Sequence, residues 1–477
     1  MSDIKNLNLG RETLGATAAK IVMALAGFVG TIVFARVLGP STYGGVGLIV
    51  TLAGIVDKPI EGWGIAGKKR VSEDVKNTPQ VLGAQIAGNS IWIALVSIGA
   101  LLFAGKITSY TGLAKAPLFL VLLLSTVGMF STFQSLLKGH GRVNLATWVD
   151  TLRSYLTLPF QVGLVLFGWG AAGMVYGLAA ASAVMIPLTL YYLGTSPALP
   201  GRTQLRSLWE YAQYSIPSTA FNLIYNRLDI LVLGALLTPS AVGYYDIAWK
   251  LTLPAMFVVQ AAGPSLMSKL SALDAAGEAT NKDLVNTLSF TSIFAIPTFV
   301  GAVILHRDLV VTLYGPGFAP AGTLLVGLAA LRIISTQSEP LIQALNGLDR
   351  PDVTMWITGT TLVGNVILGI GLTIVLGPIG VVIATLAAEA ARYVAAVMLL
   401  RRELAPFPLF PRPLVEQMVA SLLMGGTVLI FSRYVTIRGW EDLSLLIGVG
   451  VIVYSMVLLV ISMQLRRTVR SALSAST

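Results

Sequence analysis

The chain of 477 residues contains no cysteine, and histidine is almost as scarce, with only two residues. The absence of cysteine excludes a disulfide framework and thiol chemistry. His140 and His306 lie far apart, and the sequence has no Asp-x-Asp motif. It therefore lacks the residue clusters that a metal site or a metal-dependent transferase needs. We expect no metal and no cofactor.

Charged residues are scarce as well. Only 11% of the residues are charged, compared with about 25% in soluble proteins, while 55% are hydrophobic and the mean hydropathy is +0.79. These values indicate a polytopic membrane protein. The net charge of +10 is then explained by basic cytoplasmic loops rather than by nucleic-acid binding. Lys20 interrupts the first apolar run, so we predict no cleavable signal peptide.

Long apolar runs follow one another along the whole chain. A transmembrane helix needs about 20 apolar residues, and this length predicts an all-α protein with about fourteen transmembrane helices. They lie near 14–38, 42–62, 81–104, 116–137, 144–168, 171–193, 208–236, 240–263, 284–305, 320–344, 353–375, 378–400, 414–434 and 443–464. Most Lys and Arg residues of the loops lie on the side of the two termini. We therefore expect both termini in the cytoplasm and the protein in the cytoplasmic membrane.

One turn motif occurs twice. Residues 38–44 read LGPSTYG and residues 237–243 read LTPSAVG, with four of seven positions identical. Any helical hairpin favours proline and glycine at its bend, but this match favours an internal repeat. Both copies face the same side, which indicates a parallel repeat. The sequence thus predicts two six-helix lobes around a central cavity, at 1–200 and 201–404, and then two extra transmembrane helices with a basic tail at 405–477.

Five segments carry a resemblance to a known family. They are FARVLGPSTYG at 34–44, KRVSE at 69–73, LYGPGFAPA at 313–321, NGLDRP at 346–351 and GPIGVVIAT at 377–385. In this order they resemble the polysaccharide-biosynthesis flippases, which are the lipid-linked oligosaccharide flippases of the multidrug/oligosaccharidyl-lipid/polysaccharide exporter superfamily. The resemblance covers nearly the whole chain. It implies two six-helix lobes that work by alternating access, but it does not identify the sugar.

The function that the resemblance implies is translocation of a polyprenyl- or dolichyl-(pyro)phosphate-linked sugar or oligosaccharide, for cell-surface polysaccharide or glycoprotein synthesis. The expected partners are this lipid-linked substrate, the membrane lipids and, as candidates, glycan-assembly enzymes. No bond is made or broken in such a reaction, so we expect no enzymatic activity.

Several charges fall inside predicted spans, where each costs about 2.5–3.5 kcal/mol on insertion scales. Some have an opposite charge three or four residues away, so that the pair shares a helix face and neutralises itself. These pairs are Asp150 with Arg153, Asp246 with Lys250, and Glu389 with Arg392. Structural pairing is the simplest interpretation of all three.

Four cations are different. Lys20, Arg227 and Arg332 have no acid suitably placed one turn away, and Lys58 is only partly compensated by its neighbours. Interhelical salt bridges or snorkelling to the interface would account for any one of them. As a set, they predict a basic cavity that contacts the phosphate of a lipid-linked sugar. The polar side chains Asn222, Asn226 and Gln337 are candidate sugar contacts, although such residues often only bridge helices.

Three carboxylates, Asp57, Glu61 and Asp229, are candidates for proton or ion coupling, with structural pairing as the alternative interpretation. Two other functions remain open. A drug/cation antiporter of the same superfamily would need an acidic cavity, whereas the locally unpaired charges here are mainly basic. A membrane-embedded glycosyl- or acyltransferase would need a catalytic histidine or an acidic metal cluster, and the residues for neither are evident.

Overall fold

The computed structural model describes residues 9–276, 281–404, 406–435 and 437–466, and for residues 9–25 it describes the backbone alone. This part of the chain forms α-helices and contains no β-strand. The helices are α1 (Leu9–Val56), α2 (Lys58–Glu73), α3 (Thr78–Leu102), α4 (Ala104–Thr111), α5 (Ala116–Leu123), α6 (Met129–Gly139), α7 (Val143–Leu164), α8 (Gly170–Leu193), α9 (Arg202–Leu236), α10 (Pro239–Thr252), α11 (Phe257–Ala275), α12 (Asn281–Phe290), α13 (Ala295–Tyr314), α14 (Ala321–Gly347), α15 (Pro351–Leu376), α16 (Pro378–Glu403), α17 (Arg412–Tyr434) and α18 (Trp440–Ile461).

Within the described residues, eleven helical segments are long and apolar enough to cross a membrane. The all-α polytopic fold is therefore confirmed. Two of these segments, Ala26–Val56 and Val143–Leu193, each contain residues of two predicted spans. The helix α9 is not among the eleven, because polar and charged residues interrupt its apolar pattern. The number of fourteen membrane crossings stays a prediction.

Glycines break the helices at predicted turns. Gly39 interrupts α1 with φ 70° and ψ 171° and is followed by Pro40. Gly377, with φ 64°, separates α15 from α16 and is followed by Pro378. Positive φ values are reached easily only by glycine, and the following proline lacks the N–H that would continue the preceding helix. The turns predicted at these Gly-Pro pairs are confirmed.

The chain divides into two compact units, Met1–Gly243 and Tyr244–Thr477. The first unit includes α9, which the sequence assigned to the second lobe. A buried apolar cluster explains this, because Leu208 and Ala212 of α9 pack with Ala66 of α2 and Leu136 of α6. The six-helix lobes at 1–200 and 201–404 and the central cavity stay predictions.

In the second unit, the helix is interrupted between α12 and α13. Side chains from other helices donate hydrogen bonds to the backbone carbonyls that this interruption leaves free. The Ile293 carbonyl has no N–H four residues later, since residue 297 is proline, and the Tyr454 hydroxyl donates to it at 2.7 Å. The Gln417 amide donates to the Ser289 carbonyl at 2.7 Å. The Gln337 amide donates to the Leu288 carbonyl at 3.1 Å. Irregular backbone at membrane depth requires such internal partners.

The two C-terminal helices α17 and α18 pack on α13 through an apolar cluster. Ala420 and Met424 of α17, Leu446 of α18 and Leu305 of α13 are all buried in it. This contact anchors the C-terminal pair to the second unit.

Candidate functional site

In the first unit, three of the predicted site residues are brought together where α1 ends and α2 begins. Lys58 forms an ion pair with Glu61 one turn along α2, and the lysine side chain is largely buried. The neighbouring Asp57 directs Oδ1 towards the Gly128 backbone. This oxygen is buried and has no hydrogen-bond partner among the described residues. The cluster therefore holds a partly neutralised cation beside a carboxylate oxygen that can still accept a proton or a hydrogen bond.

The helix α9 passes next to this cluster. The Thr219 hydroxyl lies 3.4 Å from the Lys58 carbonyl oxygen, and a Cβ atom on Gly54 of α1 would lie 3.6 Å from the Leu223 side chain. Arg227 follows one further turn along the same face and is exposed. Because α9 rises about 1.5 Å per residue, Arg227 lies about 12 Å beyond Thr219 along the helix axis. It makes no ion pair in the described part of the chain.

Four other predicted residues also belong to this unit. Asn222 and Asn226 are exposed on α9, and each donates its amide N–H to the carbonyl four residues earlier, at 3.0 and 2.7 Å. Asp229 is half-buried and interacts with other groups. The Lys20 side chain lies outside the residues whose side chains the structure describes.

In the second unit, Arg332 is enclosed by protein, with only 6% of its surface exposed. Its guanidinium carbon lies 3.8 Å from the centroid of the Trp249 ring, and Nε donates to the Thr252 hydroxyl at 3.0 Å. The Nη2 group is buried and has no hydrogen-bond partner in the described structure. A buried cation with an unused donor is a strong attractor for an anionic group.

Among the described residues, no carboxylate of the second unit forms an ion pair with Arg332. Arg392 binds both Glu389, at 3.2 Å, and Glu339, at 3.1 Å. Glu389 also accepts a hydrogen bond from Ser338. The predicted pair of Glu389 and Arg392 is thus confirmed. The other two predicted pairs, Asp150 with Arg153 at 3.0 Å and Asp246 with Lys250 at 2.7 Å, are confirmed as well.

Gln337, a candidate sugar contact, makes hydrogen bonds to other helices in this structure. Besides the Leu288 carbonyl, its amide donates to the Ser292 hydroxyl at 2.7 Å, and the residue is buried. Its Oε1 has no partner among the described residues. In this conformation the side chain bridges helices, which is the alternative that the sequence left open.

Sequence reasoning missed Trp249 and Thr252, which surround Arg332. Trp249 stacks on Tyr245, with ring centroids 6.0 Å apart and an interplanar angle of 22°. The spacing of these two aromatic residues by four positions on α10 was the available signal. An aromatic pair at helical spacing is usually core packing, so the sequence alone did not single it out.

An apolar cavity of about 490 Å³ lies in the second unit between α13, α17 and α18. Its lining includes Phe294, Pro297, Met424 and Tyr454 and contains no charged side chain. The cavity therefore offers no cation to a phosphate. Among the described residues, no cluster of acidic residues and histidines has the composition of a metal site.

Comparison with known proteins identifies similar chains over most of the sequence. A family model described as "Polysaccharide biosynthesis protein" matches residues 33–322. "Probable low-salt glycan biosynthesis flippase Agl15" of Haloferax volcanii is 27% identical over 463 residues, which cover 95% of this chain and 96% of the relative. "Probable flippase AglR" of the same organism is 28% identical over 461 residues, which cover 94% and 96%.

Solved structures share the fold. The lipid II flippase MurJ in an inward closed conformation aligns with a TM-score of 0.76 at 16% identity, covering 93% of this chain and 98% of that chain. An inward-facing multidrug resistance MATE family transporter of the MOP superfamily aligns with a TM-score of 0.56 at 16% identity, covering 80% and 95%. At this identity the likeness concerns the fold alone.

Proposed function

Because this chain belongs to the polysaccharide biosynthesis protein family, we propose that it is a flippase for a lipid-linked glycan. It moves a polyprenyl- or dolichyl-(pyro)phosphate-linked sugar or oligosaccharide across the cytoplasmic membrane, for cell-surface polysaccharide or glycoprotein synthesis. The names of the two Haloferax volcanii relatives support this function, since both are named as probable flippases and the name of one includes glycan biosynthesis.

The observation that carries the proposal is the environment of Arg332. Its guanidinium is buried, stacks on Trp249 and keeps Nη2 without a partner in the described structure. A phosphate or pyrophosphate would supply the missing acceptor and the missing negative charge. Because Nη2 is enclosed in this conformation, the headgroup reaches it only when the surrounding helices move. That requirement agrees with alternating access.

The first unit supplies further cations for the headgroup. Arg227 is exposed on α9 with Asn222 and Asn226 on the same stretch of helix, so the phosphate would contact Arg227 and the sugar would contact the two amides. Lys58, whose partner Glu61 is half-exposed, and Lys20 complete the proposed basic site. The lipid tails stay in the bilayer while the polar head crosses.

The transport cycle makes and breaks no covalent bond in this proposal. Both termini lie in the cytoplasm, and enzymes of glycan assembly provide the lipid-linked substrate on that side. Asp57, Glu61 and Asp229 are the candidate groups for coupling to protons or ions. The unpartnered Oδ1 of Asp57 supports Asp57 first, because this oxygen has no donor among the described residues and is free to accept a proton.

The test is translocation of a fluorescent polyprenyl-phosphate-linked oligosaccharide by purified protein in liposomes. We expect the Lys20→Gln/Arg227→Gln double variant and the Arg332→Gln variant each to lose at least tenfold in rate, because a hydrogen bond to a charged group contributes about 1.5–3 kcal/mol. Arg332→Lys should be intermediate, since lysine keeps the charge but not the planar fork. Arg206→Gln, which removes an exposed ion pair with Glu210, serves as the control.

Two outcomes would contradict the proposal. Full translocation by the double variant and by Arg332→Gln would remove the phosphate-binding role of these cations. Efflux of ethidium without translocation of the lipid-linked sugar would assign the protein to the drug/cation antiporters of the same superfamily.

A further inference from the structure

Neutral oxygen atoms surround the break between α12 and α13. Gln337 of α14 donates through its amide to the Leu288 carbonyl at 3.1 Å. Gln417 of α17 donates to the next carbonyl along the chain, that of Ser289, at 2.7 Å. Because a carbonyl oxygen only accepts hydrogen bonds, each amide has to turn its nitrogen towards α12. These two contacts therefore fix the orientation of both side-chain amides.

Three side-chain oxygens around this break have no hydrogen-bond partner among the described residues. They are Oε1 of Gln337, Oε1 of Gln417 and Oγ of Ser421. The exposed fractions of the three residues are 7%, 1% and 0%, so bulk water does not reach these oxygens. Buried polar atoms are nearly always paired with protein, water or an ion. Three such oxygens at one break therefore point to a bound ligand.

The course of α17 places Ser421 beside the break. Four residues before it, Gln417 contacts Ser289 at the end of α12. Four residues after it, a Cβ atom on Gly425 would lie 2.5 Å from Cγ1 of Val300 in α13. Since residues four apart share a helix face, Ser421 lies between these two contacts and next to the segment that joins α12 to α13.

The hydrogen atoms of the neighbouring polar network are already used. The Gln337 amide also donates to the Ser292 hydroxyl at 2.7 Å. The Ser292 and Thr336 hydroxyls lie 2.8 Å apart, and Thr336 donates to the Ile333 carbonyl at 2.9 Å. Ser292 is therefore the donor to Thr336, and this chain of donors ends on a backbone carbonyl. The amide oxygens that remain can only accept, so they suit a ligand with positive charge.

The electrostatic surroundings suit a single positive charge. The break follows the C-terminal end of α12, where the helix dipole is negative. Glu416 of α17 binds Arg412 through Oε1, while its Oε2 is buried without a partner among the described residues. The Arg332 guanidinium lies over Trp249 of α10, and Arg392 is bound by two carboxylates.

We propose that the oxygens of Gln337, Gln417 and Ser421 bind a monovalent alkali cation at the α12–α13 break. Amide and hydroxyl oxygens do not take up a proton at neutral pH, and Mg²⁺ and Ca²⁺ sites are built mainly on carboxylates. Interrupted helices at membrane depth are places where neutral oxygens replace the hydration shell of a small cation. The cation links α12, α14 and α17.

This site is separate from Arg332, and it does not depend on the flippase function. The sequence predicted no metal, because that prediction considered histidines and acidic clusters, which are the usual signals of a metal site. Neutral ligands from helices far apart in the chain leave no such signal.

The test is the thermal unfolding midpoint of the purified full-length protein in detergent. It is measured at constant pH and ionic strength in the chlorides of Na⁺, K⁺ or choline, since choline is too large for an enclosed site. We expect Na⁺ or K⁺ to raise the midpoint by at least about 2 °C over choline, with saturation, because a ligand that binds only the folded chain stabilises it. Equal midpoints in all three salts would overturn the site.

Two variants locate the site. Ser421→Ala removes a hydroxyl that has no hydrogen-bond partner in the described structure, so no internal contact is lost. We expect it to abolish at least half of the ion-dependent rise and to leave the midpoint in choline close to that of the parent. Thr373→Val is the matched control, because the Thr373 hydroxyl is also buried and unpartnered but lies on α15, which supplies none of these ligands.

Binding of radioactive Na⁺ to the purified parent protein, displaced by unlabelled Na⁺ but not by choline, is the second readout and needs no variant. An equal loss of the rise in Thr373→Val would contradict the proposal, since it would indicate a general effect of salt on the fold. A full rise in Ser421→Ala would also overturn the assignment to this break. Retention of the rise in Thr373→Val and its loss in Ser421→Ala would support it.

Discussion

His140 shows how a single turn residue can make stability depend on pH. It lies between α6 and α7, and its Nδ1 is buried without a hydrogen-bond partner in the described structure. Burial, and then the nearby Arg142, lower its pKa from the ordinary value of 6.5. Between 6.5 and the lowered pKa, the unfolded chain binds more protons at this residue than the folded chain does. The free energy of unfolding therefore falls as the pH drops from 6.5 towards the lowered pKa.

We expect the His140→Gln variant to lose this dependence. The measurement is the thermal unfolding midpoint of the purified protein at about pH 7.5 and about pH 5.5, which lie on either side of the ordinary histidine pKa. His306→Gln is the control, since the Nδ1 of His306 is within hydrogen-bond distance of the Val303 carbonyl. An equal drop in the midpoint for the parent and for His140→Gln would refute the assignment to His140.

For single residues, charge pairs within one helix could be predicted from the sequence, whereas contacts between residues far apart in the chain could not. Asp150 with Arg153 follows from helical spacing, because residues three apart share a face. The contacts of Arg332 with Trp249 and Thr252 depend on how α14 packs against α10, and no local pattern encodes contacts between residues so far apart in the chain. Glu339, seven residues after Arg332, pairs with Arg392 instead.

At the scale of elements, the two copies of the repeated turn pack on each other within the first unit. A Cβ atom on Gly44 would clash with the carbonyl oxygen of Pro239 and would lie 2.7 Å from the nitrogen of Gly243. A Cβ atom on Gly243 would lie 2.5 Å from the carbonyl oxygen of Pro40. Each glycine thus faces the proline of the other copy, as expected for two segments related by an approximate two-fold axis.

The Gly44→Ala variant should lower the free energy of unfolding by about 1–3 kcal/mol, because an added methyl group in a backbone-to-backbone contact has no space to move into. Gly359→Ala is the matched control, since a Cβ atom there has no neighbour within 4 Å. Its expected effect is neutral or slightly stabilising, because alanine favours a helix over glycine. The measurement is the unfolding transition of both variants in the same detergent. Equal stability of both would contradict the packing of the two turns.

Breaks that carry glycine and proline were predictable, whereas the break between α12 and α13 was not. The turns at Gly39 and Gly377 carry the residue types that such conformations require. The segment 291–294 reads Thr-Ser-Ile-Phe, which has no turn signal. Side chains from α14, α17 and α18 satisfy the irregular backbone at membrane depth.

For the whole molecule, the distribution of basic residues predicts the orientation in the membrane. A cysteine at Gly439, between α17 and α18, should react with a membrane-impermeant maleimide added to intact cells. A cysteine at Asp349, between α14 and α15, should react only after the membrane is opened, because the basic loops lie in the cytoplasm. The cysteine-free chain provides the unlabelled control. The reverse pattern would place both termini outside.

The repeat was visible in the sequence, but the division of the chain into packed units was not. The motif at 38–44 recurs at 237–243, and a pattern of this kind survives in a single sequence. The first unit ends at Gly243 because α9 is held by long-range contacts such as that of Arg70 with the Ser207 carbonyl. A side chain that donates to a backbone carbonyl 137 positions away imposes no pattern on the residues that accept the bond.

The capped break between α12 and α13 bears on how the protein is made. Three side chains donate hydrogen bonds to the free carbonyls of this break, and two of them are Gln417 and Tyr454. These two belong to helices that leave the ribosome more than a hundred residues after the carbonyls to which they donate. Until α17 and α18 insert, those carbonyls face a medium without water, where an unpaired backbone group costs several kcal/mol. The nascent second unit therefore completes this break only after both helices have been made. The last two helices, which the sequence presents as an addition to the repeat, complete its biogenesis.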